Sequence, residues 1–121
     1  MKLRLKGNTI RFRLTQSEVA QLRTGQSLRE STEFSPSQRL NWVLEPVRSI
    51  SAIEATFLDG TVAVRVPESE LQTWAATDIE GIYGLAGAVE VSIEKDFRCL
   101  NRADSSGEPD AFPNPHDAAK W

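Results

Sequence analysis

The sequence predicts an α+β domain of eight antiparallel strands and two short helices, built as a strand-strand-helix-strand-strand unit that occurs twice. One observation is an internal repeat, since residues 8–22 align without a gap on residues 60–74. Another is a shared change of period, because apolar residues alternate up to Leu14 and Val66 and then follow helical spacing. The strands are expected to form a curved or barrel-like sheet, or two packed sheets.

Turn dipeptides and helix-start signals define the first elements of each half. Gly7-Asn8 and Asp59-Gly60 are typical of two-residue hairpin turns. Thr15 with Glu18 three positions later forms a capping-box pattern, and Pro67 suits the start of a second helix. Helices are therefore expected over residues 16–23 and 68–75. The remaining strands are expected over residues 28–34, 39–45, 47–58, 79–85 and 88–94.

The chain length predicts one domain. A chain of 121 residues can bury a single core but is too short for a two-domain enzyme. We expect one duplicated domain over residues 1–100, with halves 1–46 and 47–96. Residues 101–121 change in composition and are expected to form an irregular acidic tail.

The alternation within each strand also predicts a core. One face of each hairpin is apolar, and the apolar faces of the other strands and helices are expected to pack against it. The residues expected to be mostly buried are Leu5, Phe12, Leu14, Trp42, Phe57, Val64, Val91 and Ile93.

Charge is distributed unevenly along the chain. The net charge is −3, but residues 1–14 contain five basic residues and no acid. The predicted first hairpin places Lys2 opposite Arg13 and Arg4 opposite Arg11. Like charges directly across an antiparallel pair are destabilising, so something is expected to compensate. Paired guanidinium groups bind phosphate or carboxylate well, and these four residues are the candidate ligand-binding residues.

Two other interpretations of this basic hairpin remain open. The charges could form a solvated face, or they could pair with acids on a neighbouring strand, such as Glu90, Glu94 or Glu45. The second predicted hairpin places Glu54 opposite Arg65 and is therefore balanced internally. The basic pairs are thus expected in the first half only.

The leading functional hypothesis is a small, soluble, non-catalytic binding or adaptor domain. Its partner would be an anionic small molecule or an acidic protein surface. The acidic overall balance argues against duplex nucleic acid, whose binding proteins are usually basic over a whole face. Neither a cofactor nor a metal site is predicted, and no residue is assigned a catalytic role.

The alternative hypothesis is a phosphate-ester hydrolase of the antiparallel tunnel type. Such an enzyme would use the basic residues together with the acids of the last strand. Glu90 and Glu94 share a face but lie about 13 Å apart at 3.3 Å per residue, too far to hold one ion without other ligands. His116 is the only histidine, and Cys99 is interpreted as a small buried residue.

Several features bear on location and assembly. The longest uncharged stretch, Gly81 to Val89, is far shorter than the roughly 20 apolar residues of a membrane span. A single cysteine and a charged start favour the cytoplasm. Gly81 and Gly84 suggest a bulged edge strand or a close approach by another backbone, where a second copy could pair to give a homodimer.

Three segments resemble a family of short bacterial proteins of unknown function. They are residues 6–15 (KGNTIRFRLT), residues 94–100 (EKDFRCL) and residues 112–115 (FPNP). The members more usually have Ser where Thr9 stands, a difference that leaves the hairpin intact. The resemblance implies no catalytic role, cofactor or partner.

Overall fold

The computed structural model describes residues 1–96, and in this part the α+β class is confirmed. Eight strands and two helices follow one another in the predicted order. Their bounds are β1 Lys2–Lys6, β2 Thr9–Leu14, α1 Gln16–Arg23, β3 Leu28–Ser35, β4 Gln38–Val47, β5 Glu54–Leu58, β6 Thr61–Pro67, α2 Glu68–Ala76, β7 Gly81–Ala86 and β8 Val89–Lys95. The predicted tail over 101–121, together with Cys99 and His116, lies outside the described residues.

The strands form two separate four-stranded sheets, so of the two arrangements left open by the sequence the curved or barrel-like sheet is wrong. The first sheet has the order β1-β2-β8-β7 and the second has the order β3-β4-β6-β5. Each sheet therefore contains one hairpin from each half of the chain. The sheets are not closed into a barrel.

The expectation that every strand pair is antiparallel is wrong at the centre of both sheets. β2 pairs with β8 in parallel, and β4 pairs with β6 in parallel. Each hairpin is antiparallel internally, but two hairpins from different halves meet side by side with their inner strands running the same way. A half-buried strand has the same alternating pattern whatever the direction of its neighbour, so the sequence did not reveal this.

The hairpin registers are confirmed. Lys2 pairs with Arg13 across the first turn, and Glu54 pairs with Arg65 across the second. In the second turn Asp59 and Gly60 have φ values of 52° and 74°, as a type I′ turn requires at both central positions. This turn type fixes which residues face each other.

The helices begin where their capping signals predict. In α1 the Thr15 amide donates to Glu18 Oε1 at 2.9 Å, and the Glu18 amide donates to Thr15 Oγ1 at 3.4 Å. α2 begins directly after Pro67 without a side-chain cap. Neither helix in the described part is long and apolar enough to cross a membrane.

The core lies between the sheets and the helices, and six of its eight predicted members are at least partly buried. Phe12, Leu14, Val64, Val91 and Ile93 are buried and Trp42 is partly buried. The other two predictions are wrong, because Leu5 is 54% exposed and Phe57 is 68% exposed. Both residues lie on edge strands, two positions before a hairpin turn, whereas the helices follow the opposite ends of these hairpins.

Candidate anion-binding face

The four predicted residues lie on the outer face of the first sheet, which we call the basic face: Lys2, Arg4, Arg11 and Arg13. They alternate along β1 and β2 with core-packed residues such as Leu3 and Phe12. Side chains of successive strand residues point to opposite faces, so the charges point away from the core. Lys2 is paired with Arg13 and Arg4 with Arg11, as predicted.

A carboxylate from β8 lies against this face. The parallel register places Glu94 beside Arg13 and Ser92 beside Arg11. Glu94 Oε1 is 3.7 Å from the Nε atoms of both Arg11 and Arg13. The Glu94 side chain is only 11% exposed, so the carboxylate of these ion pairs is largely shielded from solvent. Of the acids proposed from the sequence, Glu94 is the one that these contacts bring to the basic pairs.

The other two proposed acids lie elsewhere. Glu90 pairs with Thr9 at the opposite end of β8 and is exposed. Glu45 belongs to the second sheet, where its Oε1 lies 3.3 Å from Arg65 Nε. Arg65 therefore contacts a carboxylate from a parallel neighbour, as Arg13 does.

A tyrosine that the sequence analysis missed completes the surroundings of Glu94. The Tyr83 hydroxyl, on β7, donates a hydrogen bond to Glu94 Oε2 at 3.0 Å. The Tyr83 residue is 56% exposed overall, but its hydroxyl end lies against Glu94. The pKa of Tyr83 is raised to about 12, mainly by desolvation of this end and next by the hydrogen bond to the Glu94 carboxylate.

The glycines of β7 explain how Tyr83 reaches Glu94. A Cβ on Gly81 would lie 2.6 Å from Tyr83 Oη, so glycine leaves the space that the hydroxyl occupies. A Cβ on Gly84 would lie 3.2 Å from Ile53 Cδ1. The expected bulge is absent, because β7 and β8 pair in continuous register, and the close approach is by side chains. The sequence contained one signal for the contact between Tyr83 and Glu94, because the β7–β8 hairpin places Gly81 opposite Glu94.

The two residues of β1 differ in their electrostatic partners. Lys2 Nζ lies 3.4 Å from Asp96 Oδ2. Arg4 is half-buried and forms no ion pair within residues 1–96. The basic face is thus partly neutralised at Arg11 and Arg13 and keeps a cationic position at Arg4.

A separate pocket lies near the helices. It has a volume of about 320 Å³ and is lined by residues that include Leu14, Val19 and Lys95. The Lys95 ammonium donates to the Thr77 carbonyl at 2.6 Å and lies 5.5 Å from the centre of the Trp74 ring. The lining also includes Arg23 and Asp96, so the pocket combines charges of both signs.

The described residues contain no group of three or more His, Cys, Asp or Glu side chains that could hold a metal ion. Comparisons with curated proteins and with solved structures gave no significant match. A family model does match, over residues 1–116, and it describes a family of unknown function. This span includes all three segments that carry the resemblance in the sequence. The chain therefore belongs to DUF7009, a family of unknown function.

Proposed function

We propose that this protein is a small, non-catalytic binding or adaptor domain that uses the basic face to bind an anionic group. The group would be a phosphate or carboxylate presented by a small molecule or by an acidic protein surface. Lys2, Arg4, Arg11 and Arg13 are the proposed contact residues.

The pair of Arg4 and Arg11 is the observation that carries this proposal. They face each other across an antiparallel pair, where like charges are destabilising. Glu94 compensates Arg11, whereas Arg4 has no carboxylate partner among residues 1–96. An external anion between the two guanidinium groups would relieve their repulsion.

The geometry also leaves hydrogen-bonding capacity for a ligand. Each guanidinium carries five N–H donors. The contact from Arg11 to Glu94 is 3.7 Å long, beyond the usual range of a charge-assisted hydrogen bond. Arg11 is also 37% exposed, so a ligand has access to it. Bidentate recognition of a phosphate or carboxylate is the chemistry that suits these groups.

Binding is favoured over the hydrolase alternative by the shape of this face. A tunnel enzyme needs its basic and acidic side chains to converge in one enclosed space. Here the basic residues lie on the outer face of an open sheet, and the two sheets do not close into a barrel. Glu94 is engaged by Arg11, Arg13 and Tyr83, an arrangement that favours a structural role for this carboxylate.

We further propose that halves 1–46 and 47–96 arose by duplication. Each sheet combines one hairpin of each half around a parallel pair. The Glu90 amide donates to the Asn8 carbonyl and the Asn41 amide to the Gly60 carbonyl, both at 2.8 Å, where these pairs begin. An experimental structure in which the two halves do not superpose would contradict this proposal.

The binding proposal is tested by thermal unfolding with inorganic phosphate and tripolyphosphate. A bound anion raises the melting temperature in proportion to ln(1 + [L]/Kd). We expect Arg4→Ala to abolish this rise. The matched control is Arg39→Ala, because Arg39 is exposed on the second sheet and contacts Glu33 there. An anion-dependent rise that survives in Arg4→Ala, or no rise in the wild type, would refute the proposal.

The expected cytoplasmic location and homodimer stay predictions. Size-exclusion chromatography with light scattering would test the homodimer directly.

A further inference from the structure

The chain leaves the described region beside the basic face. The Asp96 amide, directly after β8, donates to the Leu14 carbonyl at 2.8 Å. The Asp96 carboxylate lies 3.4 Å from Lys2 Nζ. An acid at the start of the C-terminal segment thus already contacts one of the four basic residues.

The segment that follows has a charge complementary to this face. Residues 104–110 (DSSGEPD) contain three acids, Asp104, Glu108 and Asp110, and no basic residue. The family match runs to residue 116 and therefore covers these residues.

The connecting chain is long enough for the acids to reach Arg4. Asp104 lies eight positions after Asp96, and such a segment spans up to about 28 Å when extended. Along β1, Arg4 lies about 7 Å from Lys2 at 3.3 Å per residue. Asp96 fixes the start of the segment at the Lys2 end of this strand.

We propose that the acidic run 104–110 is an intramolecular occupant of the basic face, with its carboxylates pairing with Arg4 and Arg11. An external anion then competes with this run. This regulation rests on the proposed binding function, because it concerns the same residues. Individual exposed ion pairs are weak, but a short tether raises the effective concentration of the acids to about the millimolar range. The run therefore reduces the affinity for an external anion without preventing its binding.

The test compares two full-length variants of equal charge. One variant neutralises the run by Asp104→Asn, Glu108→Gln and Asp110→Asn. The control neutralises three exposed acids away from the first sheet, two on the second sheet and one on α2, by Glu33→Gln, Glu54→Gln and Glu70→Gln. Affinity for tripolyphosphate is measured by calorimetry at low and high salt. Because both variants gain three charge units, a difference between them reports the position of the acids rather than the net charge.

We expect the run variant to bind tripolyphosphate roughly two- to tenfold more tightly than the control variant, since the face is no longer partly occupied. The difference should shrink at high salt, because screening weakens the intramolecular pairs. Equal affinities of the two variants would overturn the inference, even if both bind and the proposed function stands.

Zero-length carbodiimide cross-linking of the wild type separates the two proposals. A cross-link between residues 104–110 and Lys2 or Lys6 supports the intramolecular contact without any external ligand. Lys95 is the internal control, since its ammonium donates a hydrogen bond to the Thr77 carbonyl. If no variant binds tripolyphosphate, the proposed function fails, and the cross-link alone then decides the inference. Absence of the cross-link, or equal cross-linking to Lys95, would overturn it.

Discussion

Replacing Glu94 by Gln should have two effects at once: it should lower the stability of the fold, and it should strengthen anion binding by the basic face. The substitution keeps the size of the side chain and an oxygen that can accept the hydrogen bond from the Tyr83 hydroxyl. It removes the negative charge that lies 3.7 Å from both Arg11 and Arg13. The basic face then carries more uncompensated positive charge.

The size of the effect follows from burial. Exposed ion pairs contribute about 0.2–1 kcal/mol, and breaking a fully buried pair costs about 3–5 kcal/mol. Glu94 is 11% exposed, but Arg11 is 37% exposed, so an intermediate loss of about 2 kcal/mol is expected. At about 4–8 °C per kcal/mol for a small domain, the melting temperature should fall by about 8–16 °C.

Thermal unfolding of Glu94→Gln with and without inorganic phosphate measures both effects. Glu33→Gln is the matched control, because Glu33 also lies 3.7 Å from its arginine, Arg39, but both side chains are more than half exposed. The control should lose less than about 1 kcal/mol and leave the phosphate response unchanged. A Glu94→Gln protein as stable as the wild type, or one with a weaker phosphate response, would refute the reasoning.

Three further predictions concern the core, the Tyr83 contact and pH. Truncating the fully buried Phe12 to Ala should cost about 3–5 kcal/mol in chemical denaturation, and a loss below about 1 kcal/mol would contradict the packing described. Gly81→Ala places a Cβ 2.6 Å from Tyr83 Oη. It should displace the hydroxyl from Glu94 and lower the tyrosine pKa from about 12, as followed by ultraviolet titration of the only tyrosine; an unchanged titration would contradict this. The Glu18 carboxylate accepts hydrogen bonds from the terminal ammonium of Met1 and from the Thr15 amide. Desolvation raises the pKa of Glu18, but these two contacts outweigh it, so the folded pKa is lowered. The stabilisation by Glu18 is therefore present above the ordinary pKa of this carboxyl and is lost as pH falls through the lowered value. Glu18→Gln should weaken the dependence of the free energy of unfolding on acid pH. A pH profile identical to that of the wild type would contradict this.

The local elements could be predicted because their signals are short-range. A two-residue turn fixes the register of a hairpin, so the Gly7-Asn8 dipeptide alone is enough to place Arg4 opposite Arg11. The capping box likewise located the start of α1 at Thr15. Each of these signals acts over a few residues and depends little on the rest of the fold.

The assembly of the hairpins could not be predicted in the same way. Which strand lies beside β2 depends on how the apolar faces of both halves pack, and alternation does not encode the direction of a neighbour. For this reason the parallel pairing of β2 with β8 was missed. The sequence suggested Glu94 only as one of three acids, and the role of Tyr83 followed from the space at Gly81. Leu5 and Phe57 were mispredicted for a related reason. Alternation correctly assigned them to the apolar face of their strands, but it could not show that these strands lie at an open edge, where both side chains are exposed.

The central claim is that the basic face binds an anion through Arg4 and Arg11, and its most direct test is nuclear magnetic resonance of the arginine side chains. Tripolyphosphate is titrated into the labelled full-length protein while the Nε–H signals are followed. Saturable shifts of the Arg4 and Arg11 signals are predicted, with little change at Arg39 and Arg65 on the second sheet. Uniform small shifts at all four arginines, or no shift at Arg4, would contradict the claim.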